Sequence, residues 1–280
     1  MAIKLGTVAP IGFADFPPAD WLACLRGLGC TVVQAYRNQQ ADVTTQEMID
    51  YIAAGGMPCD SLHAIFGEEY DPSACGEEHR RFAVDSYRRE ADLVITLGGS
   101  LVVVHCSTIR REPVPQAERQ LRWRQLRKSM AELARHGEQL GVTYTFENLP
   151  SYHAIGSDSG ELAGVLRELA EPHARMCFDT GHALMVSDPC AAVRAAGDQV
   201  RYVHFCDNCG TSDDHEMPTY GALDCDALAD ALHDIGYDGT MMLEVFHSID
   251  RLNEMIDDGA AERLARVMRR ANGGAAGRAE

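Results

Sequence analysis

The chain has 280 residues, 46% of them hydrophobic and 24% charged, as in a globular protein with a substantial core. Its formal net charge of −17 repels polyanions and argues against general nucleic-acid binding. The first residues lack a secretion-signal pattern, and the longest aliphatic run, residues 101–104, is far shorter than the ~20 residues that span a bilayer. We therefore expect a cytoplasmic protein that binds neither membrane nor nucleic acid, with a homo-oligomer left open.

The ten cysteines are scattered along the chain. In a chain expected to be intracellular, this spacing argues against a disulfide framework. Residues 206–209 form one CxxC motif without a second pair in the sequence. Ordinary semi-buried thiols are therefore favoured over a structural zinc or redox site.

Eight short runs rich in Val, Ile and Leu alternate with stretches of helical pattern. The runs mostly lack strict apolar–polar alternation, as expected of parallel strands that are buried on both faces. The predicted strands are residues 3–8, 31–35, 60–65, 101–105, 143–147, 175–179, 200–205 and 240–245.

The stretches between the runs carry apolar residues at three- and four-residue spacing. This helical pattern is plain in residues 78–97, 118–140 and 249–270. Helix start signals are Thr44 or Thr45, Asp158 ahead of Glu161, and Asp188 followed by Pro189.

Eight strands and eight helices in strict alternation match a closed barrel better than an open sheet. We predict an α/β protein with one domain, a (β/α)8 TIM barrel over residues 1–270, followed by a disordered tail over residues 271–280. The longest stretch without regular pattern, residues 67–77, would extend the loop after the third strand over the barrel mouth, where it could act as a lid.

Residues of metal-binding type stand at or near the ends of the third to eighth predicted strands. The carboxyl ends of barrel strands meet at one mouth, so these residues should share one pocket. They are His63, His105, Glu147, Asp179, His204 and Glu244. Three further candidates, His182, Asp213 and His215, follow in the adjoining loops.

Each of these residues alone has an ordinary explanation. Asp179, for example, could cap the next helix. Together, however, several carboxylates within a few ångströms of one another would destabilise the fold unless a cation neutralised them. Mixed carboxylate and imidazole ligands suit Mn²⁺, Mg²⁺, Co²⁺ or Zn²⁺, and we therefore expect a divalent metal ion.

Seven segments, in order along residues 1–270, resemble the xylose isomerase-like TIM barrel superfamily and, within it, the sugar phosphate isomerase/epimerase family. They are SLHAIF (61–66), VVVHCS (102–107), TFENLP (145–150), CFDTGHA (177–183), VHFCDN (203–208), DDHEMPTYGALD (213–224) and MLEVF (242–246). The resemblance implies a metal held by Glu147, Asp179, His204 and Glu244. The candidates for substrate binding or a second metal are His63, His105, His182, Asp213 and His215.

The resemblance also implies an activity. In the ketose epimerases of this superfamily, two glutamates, here Glu147 and Glu244, act as acid and base on either face of a metal-chelated hydroxy-ketone, through an enediolate. Chelation of the carbonyl oxygen stabilises the developing negative charge, and a carboxylate beside the metal is a competent base. The expected function is a metal-dependent isomerase or epimerase of a small carbohydrate-like substrate.

The loop after the seventh predicted strand departs from the epimerase pattern. The epimerases carry a substrate-binding arginine there, whereas this chain has Asp213, Asp214 and His215. The Asp-x-His loop also occurs in the superfamily's apurinic endonucleases, and all nine ligand types of their three-zinc site can be placed here. The alternatives are therefore a trinuclear zinc phosphodiesterase of that kind, a dehydratase of a keto-inositol-type substrate, and a barrel without activity. The negative charge and the lack of basic loops favour the sugar enzyme over the endonuclease.

Several arginine and aromatic residues near the predicted mouth have two possible roles. Arg37, Arg110 and Arg111 could reach an anionic substrate, although a solvated surface position is favoured. An apolar wall beside a sugar could be formed by Phe13, Phe16, Trp21 and Phe66, although a core position is favoured for Trp21.

Overall fold

The computed structural model describes residues 2–110 and 113–274. Eight parallel strands close into a barrel in the order of the chain, and the last strand pairs with the first. The predicted (β/α)8 TIM barrel is thereby confirmed. The strands are β1 (Lys4–Ile11), β2 (Val32–Arg37), β3 (Cys59–His63), β4 (Leu101–His105), β5 (Thr143–Glu147), β6 (Ala174–Asp179), β7 (Val200–Phe205) and β8 (Thr240–Leu243).

The α-helices of the described residues form the outer layer around the barrel. They are α1 (Pro18–Gly27), α2 (Thr45–Gly55), α3 (Glu77–Thr96), α4 (Gln116–Leu140), α5 (Ser159–Leu169), α6 (Thr180–Leu184), α7 (Pro189–Ala196), α8 (Cys225–Asp234), α9 (Ile249–Asp257) and α10 (Ala260–Ala271). The predicted start signals act as caps: Thr44 forms a capping box with Glu47, and Asp158 and Asp188 accept hydrogen bonds from the first turns of their helices. Of the helices in the two described ranges, none is both long and apolar enough to cross a membrane.

The strict one-helix-per-strand pattern was wrong in two places. After β6, the short α6 ends and Pro189 starts a separate helix. The predicted helix over residues 249–270 is divided into α9 and α10 at Asp258 and Gly259, because Gly259 has a φ of 82°. A residue in the left-handed region cannot continue an α-helix.

The first residue of the predicted tail belongs to the last helix. Ala271 is the last residue of α10 and is 2% exposed, so it packs as part of the barrel. Residues 275–280, most of the predicted disordered tail, lie outside the described residues.

The register of the strands determines which polar ends become neighbours. Glu147 lies opposite His105 on β4, and Asp179 lies opposite His204 on β7. A register irregularity between β6 and β7 precedes the second pair. Below these ends the strands are mostly apolar and buried, and the residues of metal-binding type lie at the carboxyl end of the barrel.

The loop after β3 is tied down from Tyr70 onward. The Tyr87 hydroxyl donates to the carbonyl of Tyr70 at 2.6 Å, Arg122 pairs with Asp71 at 2.7 Å, and Ser129 donates to the carbonyl of Pro72. Residues 67–69, by contrast, are exposed. The first part of the predicted lid is thus the part that reaches the barrel mouth.

Candidate metal centre and active site

Four residues from four strand ends form the centre of the candidate site. One ligand atom from each of Glu147, Asp179, His204 and Glu244 lies within 4.8 Å of all the others. All four side chains are buried. Each residue lies at the end of its own strand or directly after it. Backbone pairing between the strands therefore sets the distances between the four side chains.

His204 lies between the two glutamates. Its Nδ1 is 2.9 Å from Oε1 of Glu147 and 2.8 Å from Oε2 of Glu244. Of these two contacts, only the one with Glu147 has the geometry of a hydrogen bond. Within the described part of the chain, Oε2 of both glutamates and Nε2 of His204 have no hydrogen-bond partner.

Buried polar atoms normally have partners, so this group of unpartnered atoms is chemically incomplete. Three carboxylates and an imidazole form a donor set that a divalent cation would complete. The residues present therefore fit a divalent metal ion.

The electrostatics of the cluster lead to the same conclusion. Burial, together with the neighbouring Glu147 and Glu244, raises the pKa of Asp179 to about 6. Burial also acts against the charge of Glu244, but His204 outweighs it and lowers the pKa of Glu244 to about 2. The charge on the buried carboxylates thus depends on an adjacent positive charge.

A second group surrounds the outer oxygen of Glu147. Nε2 of His105 lies 3.2 Å and Nε2 of His63 3.8 Å from Oε2 of Glu147. Nδ1 of His63 donates to the carbonyl of Ala64, which leaves its Nε2 free to face the carboxylate. Burial and the nearby His105 lower the pKa of His63 to about 4, so the ring is neutral at pH 7.

A third group lies beside Asp179 and consists of His182, Asp213 and His215. Asp213 is 3.3 Å from Nε2 of His182 and 3.5 Å from Nε2 of His215. Burial acts against a charged His182 ring, but Asp179 and Asp213 outweigh it and raise the pKa of His182 to about 10. The structure thus brings all nine predicted site residues together in three adjoining groups.

Asn148 holds the cluster in place and was not predicted from the sequence. Its side-chain amide donates to the carbonyl of Asp179 and accepts from the backbone N–H of Asp179, both at 2.9 Å. Asp179 in turn accepts from the backbone N–H of His182 at 2.6 Å and caps α6. The helix-cap and metal-ligand interpretations of Asp179 are therefore compatible.

A cavity of about 340 Å³ opens above the cluster. Of the described residues that line it, none is arginine or lysine. Phe66 belongs to its wall, as predicted, whereas Phe13 and Phe16 do not. Three further wall residues, Tyr36, Tyr152 and His153, were missed. The position of Tyr152 and His153 just after the TFENLP segment, in a loop at the barrel mouth, is the signal that could have found them.

Two of the three arginines predicted near the mouth, Arg37 and Arg110, do not line this cavity. Arg37 pairs with Glu90 at 2.5 Å and Arg110 with Glu118 at 2.9 Å. Arg111 lies outside the described residues. Trp21 is fully buried in the core, as predicted.

The cysteines form no disulfide among the described residues. Cys206 is buried with its Sγ 3.5 Å from Oδ2 of Asp179, whereas Cys209 is exposed. The two residues of the CxxC motif thus lie in different environments.

Gly67 lines the cavity with a φ of 123°, a conformation that favours glycine. We expect Gly67→Ala to lower the free energy of unfolding by about 1–3 kcal/mol through backbone strain, although no atom lies within 4 Å of an added Cβ. Gly164 in α5 has equal space, and there alanine should raise stability by about 0.5–1 kcal/mol. Urea denaturation compares the two variants, and equal effects would contradict strain at Gly67.

Comparison with known proteins gives relatives of low identity. Fructoselysine 3-epimerase of Escherichia coli O157:H7 is 22% identical over 173 residues, which cover 61% of this chain and 62% of that protein. An uncharacterized protein of Methanocaldococcus jannaschii is 25% identical over 187 residues, or 65% of this chain and 63% of that protein. The chain thus spans less than two thirds of the length of these relatives.

Solved structures with the same fold cover nearly the whole chain. D-allulose 3-epimerase from Methylomonas sp. superposes with a TM-score of 0.76 at 18% identity and covers 96% of this chain and 97% of its own. The 3-keto-D-glucoside 4-epimerase of E. coli gives a TM-score of 0.74 at 18% identity, with coverage of 94% and 99%. A family model described as xylose isomerase-like TIM barrel matches residues 22–271. The chain therefore belongs to the xylose isomerase-like TIM barrel family.

Proposed function

We propose that this protein is a divalent-metal-dependent isomerase or epimerase that acts on a sugar or a related hydroxy-ketone. The observation that carries the proposal is the placement of Glu147 and Glu244 on either side of His204, at 2.9 and 2.8 Å from its Nδ1. The sugar epimerases among the relatives and the structures of the same fold support it.

Glu147, Asp179, His204 and Glu244 would hold the metal ion. When bound, the ion would polarise the carbonyl group of the substrate and make the neighbouring carbon more acidic. Its identity, Mn²⁺, Mg²⁺, Co²⁺ or Zn²⁺, is part of the proposal to be tested.

The two glutamates supply the proton chemistry in this proposal. Each has an oxygen, Oε2, without a hydrogen-bond partner in the described chain. One glutamate, as a carboxylate, accepts the proton from the carbon next to the carbonyl. The other enters the step protonated and donates its proton to the opposite face, which inverts that carbon, and exchange with solvent restores both groups. His63, His105, His182, Asp213 and His215 are proposed to contact the substrate or a second metal ion.

Hydrogen exchange tests the proposal directly. The protein is loaded with Mn²⁺ and incubated in D₂O with a panel of ketoses and keto-inositols. We expect deuterium at a carbon next to the carbonyl of at least one compound, measured by NMR and mass spectrometry. The absence of exchange across the panel, with each of the four metal ions, would reject the proposal. A product that has lost water would instead identify the dehydratase alternative, which uses the same proton abstraction.

A second candidate function is a trinuclear zinc phosphodiesterase that acts at abasic sites. It is favoured by the three adjoining groups, His63–His105–Glu147, Glu147–Asp179–His204–Glu244 and His182–Asp213–His215. The net charge of −17 and a cavity wall without arginine or lysine oppose it. About three zinc ions per chain together with nicking of an abasic duplex would support this function, whereas one metal ion and no nicking would remove it.

A further inference from the structure

A second and larger cavity lies beside the pocket above the metal cluster. It has a volume of about 980 Å³ and is bounded by the loops after β2 and β3 and by α3. We call it the side groove. The groove and the pocket have four wall residues in common, Tyr36, Phe66, Gly67 and Glu68. The groove and the pocket therefore adjoin each other at these four residues.

The charges of the side groove are mostly negative. Asp42, Glu68 and Glu69 are exposed on its rim, and none of them forms an ion pair with another residue in the described ranges. Arg37 is paired with Glu90 in the floor at 2.5 Å. The remaining cation, Arg89, is exposed and donates to Ser86 at 2.8 Å.

Glu90 in the groove floor has an unused acceptor. The residue is only 4% exposed. Its Oε1 pairs with Arg37, whereas its Oε2 makes no well-formed hydrogen bond among the residues that the structure describes, with the backbone N–H of Ile65 near the carboxylate. A buried carboxylate oxygen in this state is stabilised by any ligand that donates to it.

The groove wall also contains side-chain amides. Oε1 of Gln39 accepts from the backbone N–H of Phe66 at 2.9 Å. This contact orients Gln39 and leaves its NH₂ group free to bind an oxygen atom of a ligand.

We propose that the side groove binds an amine-bearing, positively charged extension of the substrate. The substrate is then an unphosphorylated hydroxy-ketone that carries an ammonium group on a short chain, a narrower class that rests on the proposed function. The pocket wall holds no arginine or lysine that could pair with a phosphate. In the groove it would face Asp42, Glu68 and Glu69, which repel it, and Arg89 is the one cation of the described groove wall that is not paired with a carboxylate.

Matched ketoses test this proposal. Four ketoses differ only in the group at the carbon farthest from the carbonyl. In three of them this group is the same short chain, which ends in an ammonium group, an acetylated amine or a carboxylate. The fourth carries a phosphate group there. Their deuterium exchange kinetics and their dissociation constants by calorimetry are measured with the Mn²⁺-loaded protein. We expect KM and Kd of the ammonium compound to be at least about fivefold lower than those of the acetylated one. The carboxylate and phosphate compounds should bind more weakly still.

Variants of the groove assign the preference to its residues. Glu90→Gln and the double variant Glu68→Gln/Glu69→Gln should each reduce the preference for the ammonium compound. Glu78→Gln removes the same charge from an exposed position on α3 that does not line the groove, and it should leave the preference unchanged. The exposed double variant keeps the test valid if Glu90→Gln fails to fold.

Equal KM and Kd for the ammonium and acetylated compounds, or tighter binding of the phosphate, would overturn the proposal. Failure of the proposed function is recognised separately. In that case none of the ketoses exchanges deuterium, and calorimetry of the ammonium and acetylated compounds still tests the charge preference of the groove.

Discussion

Replacement of either Glu147 or Glu244 by glutamine is expected to lower the rate of deuterium exchange next to the substrate carbonyl by about 10²–10⁴-fold. Glutamine keeps the shape of the side chain, but its amide neither accepts a proton from carbon nor returns one. Both glutamates lie within 3 Å of Nδ1 of His204, so each loss acts at the same centre. The measurement is exchange in D₂O by NMR, with the metal content of every variant determined in parallel.

The metal content separates two causes of lost activity. A variant that retains the metal and has lost exchange supports a direct role in proton transfer, whereas one that has lost the metal reports on ligation. The matched control is Asp60→Asn. Asp60 is a carboxylate on β3 that accepts from Thr240 at 2.7 Å and from Tyr202 at 3.0 Å, near the amino end of the barrel. This control should exchange at the unaltered rate, and full activity of both glutamine variants would reject the proposed roles.

Removal of the metal is expected to lower the thermal stability of the protein. Three buried carboxylates share a site whose ligand atoms lie within 4.8 Å of one another, and without a cation they repel each other. A free metal concentration about 1,000-fold above Kd stabilises the folded state by about 4 kcal/mol. For a chain of this size, that free energy corresponds to a change in Tm on the order of 10 °C. Thermal unfolding is compared in Mn²⁺ and in chelator.

Asp179→Asn provides the control for this prediction. The variant lacks one candidate ligand and one repelling charge, so its Tm should differ much less between Mn²⁺ and chelator. A wild-type Tm that is the same in both conditions would contradict a metal at this cluster.

The sequence was sufficient to predict the barrel because its signal is local. Buried parallel strands are short apolar runs, and the runs at residues 101–105, 143–147 and 200–205 coincide with β4, β5 and β7. The polar strand ends were conspicuous for the same reason, since a charged residue after an apolar run is costly to bury without a partner.

What could not be predicted depends on contacts between distant parts of the chain. The clamp of Asn148 on Asp179 joins residues from two strand ends and requires the register of β5 and β6. The pairing of Arg37 with Glu90 brings together residues that are 53 positions apart. The division of the final helix was missed because Gly259 lies in an otherwise continuous apolar stripe. A single glycine is tolerated inside a helix, and only its φ value shows that the helix ends there.

The two cavities are built from different kinds of backbone. The candidate ligands lie mainly on or next to the strands of the barrel, whereas much of the side groove comes from the loops at residues 38–43 and 65–70. Loops accept substitutions and insertions far more readily than barrel strands do. Evolution, or a protein engineer, can therefore exchange the portion of the molecule that selects the substrate while the reaction centre stays intact. Variation among descendants of this chain should accordingly concentrate in those two loops.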